Sequence, residues 1–421
     1  MINFMINRKF RLDYLIGLFA LLIIFFVINF YSNYLQSNDM NLYQGIANKT
    51  IGGFVPYQGD FFFEYPPMVA YFFVLINFVK NVFFLSNFQT AFALVALLMT
   101  YTLLFLSKDI IKEKKTEVLI LTAFSFFVSS NVLFERYDII PTFLTFISLY
   151  IIIKSYKNNY LYLLAGLLIA SGIFTKLFPI FVVLPVLVYF ITNKLFTKMY
   201  YYIIGIVIIT LPNLFLVLQG LEKAKIFYNY HSLRGLEITS FGATLARILS
   251  FFGIGNLSRK TLCCPYGSVD LDYSYTGAIK TFLNLMLVSG LLILIFSLYR
   301  HFKNKNFISY DLITYTTLFF SLFIITNKVF STQYIIWIIP FVFLSFYSIK
   351  DRITKYILVL LSLYVIVINN VVLLFMWGDM NRLDLLPVVL TDTKNIAFWI
   401  VFLVLVWEKS NMNRSNKILH P

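Results

Sequence analysis

Apolar residues occupy long blocks along this chain, and short polar clusters punctuate them. The blocks fall at about 14–31, 88–106, 117–134, 138–153, 160–175, 177–191, 200–218, 278–299, 311–326, 333–348, 356–376 and 394–407. Each is close to the ~20 residues a helix needs to cross a bilayer. Barrel strands would be about half as long and would alternate apolar with polar residues. Twelve crossing helices are therefore predicted. A further apolar stretch, 67–85, follows Pro66-Pro67 and is expected to stay on one side as an interfacial or re-entrant helix. A full crossing there would swap the sides of all later loops and put Lys108, Lys112, Lys114 and Lys115 outside.

Composition agrees with this pattern. The chain is 60% hydrophobic and only 13% charged, with a mean hydropathy of +0.82, too little polar surface for a soluble domain of 421 residues. The expected fold class is all-α integral membrane, one polytopic domain over residues 1–421. Its two long outer segments are 32–87, with the interfacial or re-entrant helix, and 219–277. Arg8, Lys9 and Arg11 precede the first block as in a signal peptide. No small-residue cleavage site follows, so a retained anchor is expected.

The net charge is +15. In a soluble protein this would suggest nucleic acid, but here the cations sit mainly in short loops, where they set orientation. With twelve crossings the inner side holds 20 Lys and Arg against 7 Asp and Glu, and the outer side 14 against 12. The expected location is the cytoplasmic (inner) membrane, with both termini cytoplasmic and membrane lipids as the surroundings. Cys263 and Cys264 are adjacent, which suits neither metal ligation nor an ordinary disulfide.

The polar clusters that look chemical then share the outer face. Asp39 sits in NDMNLY, either capping a helix that starts at Met40 or facing an active site. Asp60 and Glu64 bracket three phenylalanines in GDFFFEYPP at 59–67. A carboxylate held beside apolar rings is a candidate base with a shifted pKa; a solvated loop charge is the plainer alternative. Tyr65-Pro66-Pro67 marks a helix entry. Glu135, Arg136 and Asp138 fill the tight turn between two blocks, as a local ion pair or as a fixed cation and carboxylate facing a cavity. Lys176 interrupts an apolar stretch and must face water or an anion, or snorkel.

His231, Arg234 and Glu237 follow in YHSLRGLE, and Lys328, Gln333 and Tyr334 in NKVFSTQY. Arg136, Lys176, Arg234 and Lys328 are candidates to converge on a phosphate. No His/Cys cluster suggests a metal, and Asp270-Leu271-Asp272 reads as a loop.

The chain lacks the Gly-rich phosphate loop of nucleotide enzymes. Outside the cytoplasmic membrane the natural sugar donor is a polyprenyl-phosphate lipid, whose tail needs apolar helices and whose phosphate needs cations. An acceptor hydroxyl needs a carboxylate base. Several stretches resemble glycosyltransferase family 87 (DUF2029), the polyprenyl-phosphate-mannose-dependent α-mannosyltransferases of the GT-C superfold. They are D-x-x-x-Y at Asp39–Tyr43, G-x-x-P-Y at Gly53–Tyr57, F-x-Y-P-P at Phe63–Pro67, RYDIIPTFL, AGLLIASGIFTKLFPIFVVLPVL, YHSLRGLEITS and NKVFSTQYIIWIIP.

The resemblance implies inverting transfer of a hexose, mannose in that family, from a polyprenyl-phosphate-linked donor to a lipid or glycan acceptor. It implies neither metal nor nucleotide cofactor. It places the base on Asp39, with Asp60 and Glu64 as fallbacks, and makes Tyr43, Tyr65, Asp138, His231, Glu237, Gln333 and Tyr334 further site candidates. Thr239 is a departure, standing where the family leads one to expect a second acidic residue. The rival classes are an O-antigen polymerase or ligase and a twelve-helix secondary transporter. A transporter should show related halves and polar groups at mid-membrane.

Overall fold

The structure, a computed structural model, describes residues 38–58, 63–111, 115–154, 156–263, 268–304, 307–346, 349 and 351–418. The first apolar block and Asp60 lie outside the described residues. Two helices precede the main bundle, α1 (Asn38–Ile51) and α2 (Met68–Val82). The bundle then runs through α3 (Phe88–Ile110), α4 (Lys115–Val128), α5 (Ser130–Glu135), α6 (Ile139–Lys154), α7 (Tyr160–Thr175), α8 (Ile180–Thr192) and α9 (Phe196–Gln219). After α10 (Leu221–Leu233) come β1 (Leu236–Glu237), α11 (Phe241–Phe251), β2 (Leu257–Cys263) and β3 (Val269–Tyr273). The chain closes with α12 (Thr276–Asn304), α13 (Asp311–Thr326), α14 (Ile335–Ser345), α15 (Arg352–Phe375), α16 (Trp377–Asn381) and α17 (Leu385–Ile418).

Five of these helices are long and apolar enough to cross a membrane: α3, α9, α12, α15 and α17 over Leu385–Ser410. Shorter apolar helices pack among them, α13 and α14 being buried along almost their whole length. The outward faces of α9 and α12 expose Leu211, Phe215, Leu292 and Phe296. Contiguous apolar surface on that scale belongs against lipid. The chain is a multi-pass membrane protein.

Local chemistry accounts for the helix ends. Asn87 caps α3 by accepting from Thr90 N at 2.8 Å, and Asp351 caps α15 by accepting from Thr354 N at 2.7 Å. Pro67 precedes α2, where its missing N–H costs nothing. Gly166 of α7 and Gly205 of α9 let two backbones touch. A Cβ on Gly166 would lie 2.0 Å from the Tyr202 carbonyl oxygen, and one on Gly205 2.2 Å from that of Leu163.

Polar contacts sort the connections into two ends. At one end, Lys154 meets Asp109 at 3.1 Å, Asn193 Nδ2 donates to Phe307 O at 2.8 Å, and Lys409 pairs with Asp311. At the other, Arg136 pairs with Asp39, Lys176 with Asp138 at 2.7 Å, and Arg247 with Asp392 at 2.5 Å. Phe73 of α2 stacks on Tyr43 at 4.5 Å and meets Phe88, the first residue of α3, edge-on at 6.4 Å. Thus α2 lies beside α1, and α3 sets out from the same end.

Four expectations need correction. The fold is not purely helical. Segment 219–277 carries a three-stranded antiparallel sheet of order β1-β3-β2, with Leu236 opposite Leu271 and Glu237 opposite Asp270. Asp270-Leu271-Asp272 is therefore strand, not loop. Asp270 turns inward to accept from Gly235 N and Ser268 Oγ, both at 2.8 Å, while Asp272 is exposed. The sheet and α11 share a second apolar core with Ile279, Leu283, Val372 and Met380. The block at 117–134 is two helices broken at Ser129, whose Oγ accepts from Asn370 Nδ2 at 3.0 Å. Finally, Arg136 and Asp138 do not pair with each other, since each finds its partner on another segment.

Candidate functional site

At the end where α1 and α2 lie, a cavity of about 630 Å³ opens, a size typical of small-ligand sites. It is lined by Asp39, Tyr43, Glu64, Tyr65, Arg136, Lys176, His231, Arg234, Lys328, Gln333 and Tyr334. Eleven of the fourteen residues singled out from sequence thus face one space, although they span almost three hundred positions. Asp60 lies outside the described residues. Asp138 and Glu237 are buried behind the wall.

The first side of the cavity is built on α1. Asp39 stands in its first turn and Tyr43 one turn later, so both project from one face. Arg136, from the turn before α6, pairs with Asp39 and also hydrogen-bonds Tyr43. Asp39 lies within α1, one residue after its start, and not at the position preceding a helix that begins at Met40. Tyr137 meets Tyr43, Tyr65 and Phe73 edge-on at 5.5, 5.4 and 5.6 Å. This aromatic packing holds the Asp39 helix against the chain around Glu64. Tyr57 Oη donates to Tyr65 O at 2.6 Å, fixing the turn before Pro66-Pro67.

Lys176 stands where α7 ends and α8 has yet to begin. Its ammonium donates to Asp138 Oδ1 at 2.7 Å, which also accepts Trp337 Nε1 at 2.5 Å. It lies over the rings of Tyr137, Tyr334 and Trp337 at 5.0, 5.4 and 5.4 Å. Trp337 is itself sandwiched between Phe178 at 4.1 Å and Tyr334 at 4.2 Å. A buried carboxylate and three aromatic faces are what make a cation tolerable here.

The second side comes from the end of α10 and the strap 327–331. His231 hydrogen-bonds the Glu64 backbone. Burial and the neighbouring Arg234 push its pKa down to about 4, so it is neutral at pH 7. The Arg234 guanidinium lies over the Tyr230 ring at 5.1 Å, and its Nε is buried with no hydrogen-bond partner among the described residues. Lys328 Nζ donates to Ser232 O at 2.6 Å. Burial, then Lys280 and Arg234, push the Lys328 pKa down to about 8. A buried, unpartnered guanidinium nitrogen beside a lysine whose charge is disfavoured marks an environment short of negative charge.

Behind the strap, Glu237 accepts from Thr239 Oγ1 at 2.9 Å and from Phe330 N at 3.2 Å, and burial raises its pKa to about 7. Sequence reasoning passed over Tyr137, Trp337, Phe178 and Lys394 as individuals. Tyr137 and Trp337 lay inside motifs already singled out, RYDIIPTFL and NKVFSTQYIIWIIP. Lys394 had only its place at the head of the last apolar block to mark it.

Carboxylates, cations and aromatic rings gathered around one cavity suit a neutral polyol joined to an anion. The model of glycosyltransferase family 87 matches residues 62–323. No curated protein and no solved structure matches the chain.

Proposed function

The chain belongs to glycosyltransferase family 87, the match covering well over half its length, and on that premise we propose that it moves a hexose, mannose in the first instance, from a polyprenyl-phosphate donor to a hydroxyl of a lipid or glycan acceptor. The observation that carries this reading is the Arg234 guanidinium, whose Nε is buried without a hydrogen-bond partner among the described residues, in the cavity that also holds Asp39. A phosphate there would satisfy the guanidinium and lie within the field of Lys328.

In this scheme Asp39 takes the acceptor proton as the hydroxyl oxygen attacks the anomeric carbon. The bond from that carbon to the phosphate oxygen breaks, its electron pair leaves with the polyprenyl phosphate, and the configuration inverts. Arg136 is committed to Asp39 and Tyr43, and Lys176 to Asp138, so phosphate binding falls to Arg234 and Lys328. Arg136 keeps the base aimed. The scheme needs no metal, because these two cations carry the developing charge.

Orientation completes the proposal. The end opposite the cavity gathers Lys108, Lys154, Lys157, Lys194, Lys198, Arg300, Lys303, Arg352, Lys355 and Lys409. By the positive-inside rule that end is cytoplasmic and the cavity faces outward. Counting block 14–31 gives twelve crossings in a GT-C-like arrangement, with α2 kept at the outer interface and both termini inside. Purified protein given a panel of polyprenyl-phosphate hexoses should consume one donor and release polyprenyl phosphate. Turnover of nucleotide sugars alone would overturn the reading.

A further inference from the structure

The strap 327–331 connects α13 to the short turn Thr332–Tyr334 and brings Lys328 to the cavity wall. It has no regular secondary structure of its own, and three of its polar groups are met by Glu237 and Thr239. Glu237 N donates to Lys328 O at 3.0 Å, Phe330 N donates to Glu237 Oε2 at 3.2 Å, and Thr239 Oγ1 lies 3.0 Å from Phe330 O. From the far side, the Lys394 ammonium sits over the Phe330 ring at 4.0 Å and reaches Asn369 Oδ1 at 3.4 Å. Asn369 Nδ2 in turn donates to Thr332 O at 3.0 Å. Glu237 and Lys394 are almost wholly buried, and neither lines the cavity.

A buried acid beside a buried amine is a poor device for stability alone, since apolar residues of similar volume often hold a core as well. Their placement points to another use. Both side chains bear on Phe330, and Phe330 is two residues from Lys328. We propose that Glu237 and Lys394 form a positioning unit: they clamp Phe330, and so set the height at which Lys328 meets the phosphate of the donor lipid. This rests on the phosphate-donor reading given above. It makes Glu237 a positioning residue and not a base, because its carboxylate is spent on the strap and shut off from the cavity. It also gives Thr239 a task, as a hydroxyl within hydrogen-bond reach of both the Glu237 carboxyl group and the Phe330 carbonyl.

The test is a double-mutant cycle on the full-length protein in detergent, with decaprenyl monophosphate as the probe and isothermal titration as the readout. Lys328→Ala and Glu237→Ala are each expected to weaken binding by about tenfold, equivalent to ~1.4 kcal/mol. The double variant should bind no worse than Lys328→Ala, because without its clamp the lysine no longer contributes. Full additivity, as a merely structural Glu237 would give, overturns the proposal, and so does wild-type affinity in Glu237→Ala. If Glu237→Ala does not fold, Thr239→Val enters the same cycle with the same two outcomes. Failure of the wild-type protein to bind the probe at all would instead sink the phosphate-donor reading.

Discussion

Arg136 reaches back almost a hundred residues to pair with Asp39, and the same guanidinium holds the Tyr43 phenol. The contact ties the first described helix to the turn between α5 and α6. It also divides the cavity's cations by role: Arg136 serves a protein carboxylate, whereas the Nε of Arg234 has no partner among the described residues.

Asp39→Asn tests the base directly. It should lower turnover by about 10²–10⁴-fold, the usual weight of general base catalysis, while binding of decaprenyl monophosphate stays near wild type. Substantial turnover in Asp39→Asn would pass the role to Glu64, which lines the same cavity.

Arg136 and Arg234 should separate kinetically. Arg136→Met is expected to depress kcat with little change in donor KM, because it misaims the carboxylate. Arg234→Ala is expected to raise donor KM by about tenfold or more, the scale of a lost charge-assisted hydrogen bond. Identical kinetic patterns for the two variants would contradict the division of labour.

Lys328 supplies a pH dependence. Its pKa is pushed down to about 8, first by burial and then by Lys280 and Arg234, with Asp270 opposing. It is charged below that value and neutral above it. Affinity for a polyprenyl phosphodiester, which carries a constant charge in this range, should therefore fall as pH rises from about 7.5 to 9.5. Lys328→Arg should flatten that limb. A titration that is flat in the wild type would rule out Lys328 as a phosphate ligand.

Lys176 lines the cavity over the buried Asp138, and the pair should be costly to break from one side. Asp138→Ala leaves a buried ammonium without its carboxylate and is expected to cost about 3–5 kcal/mol, read as a loss of thermal stability in detergent. Adding Lys176→Met should recover part of that loss without restoring turnover. If the double variant were no more stable than Asp138→Ala, the ion pair would not be the source of the cost.

Much of the bundle was legible because lipid demands long apolar helices. The block 160–175 coincides with α7 and 311–326 with α13. Lys176 declared itself as a charge within an apolar stretch. The sheet was hidden because β1 is two residues long and the alternation of Val269–Tyr273 lasts only five. Pairings such as Asp39 with Arg136, or Trp337 with Asp138, depend on how distant segments dock. Sequence spacing named their members but could not say who meets whom.

The cavity wall draws on residues from Asp39 to Trp337. During synthesis, a chain interrupted before the strap emerges has its carboxylates in place but lacks Lys328 and the aromatic sandwich of Trp337. Competence therefore arrives late, only once Trp337 has been made. A half-built enzyme holds no complete site.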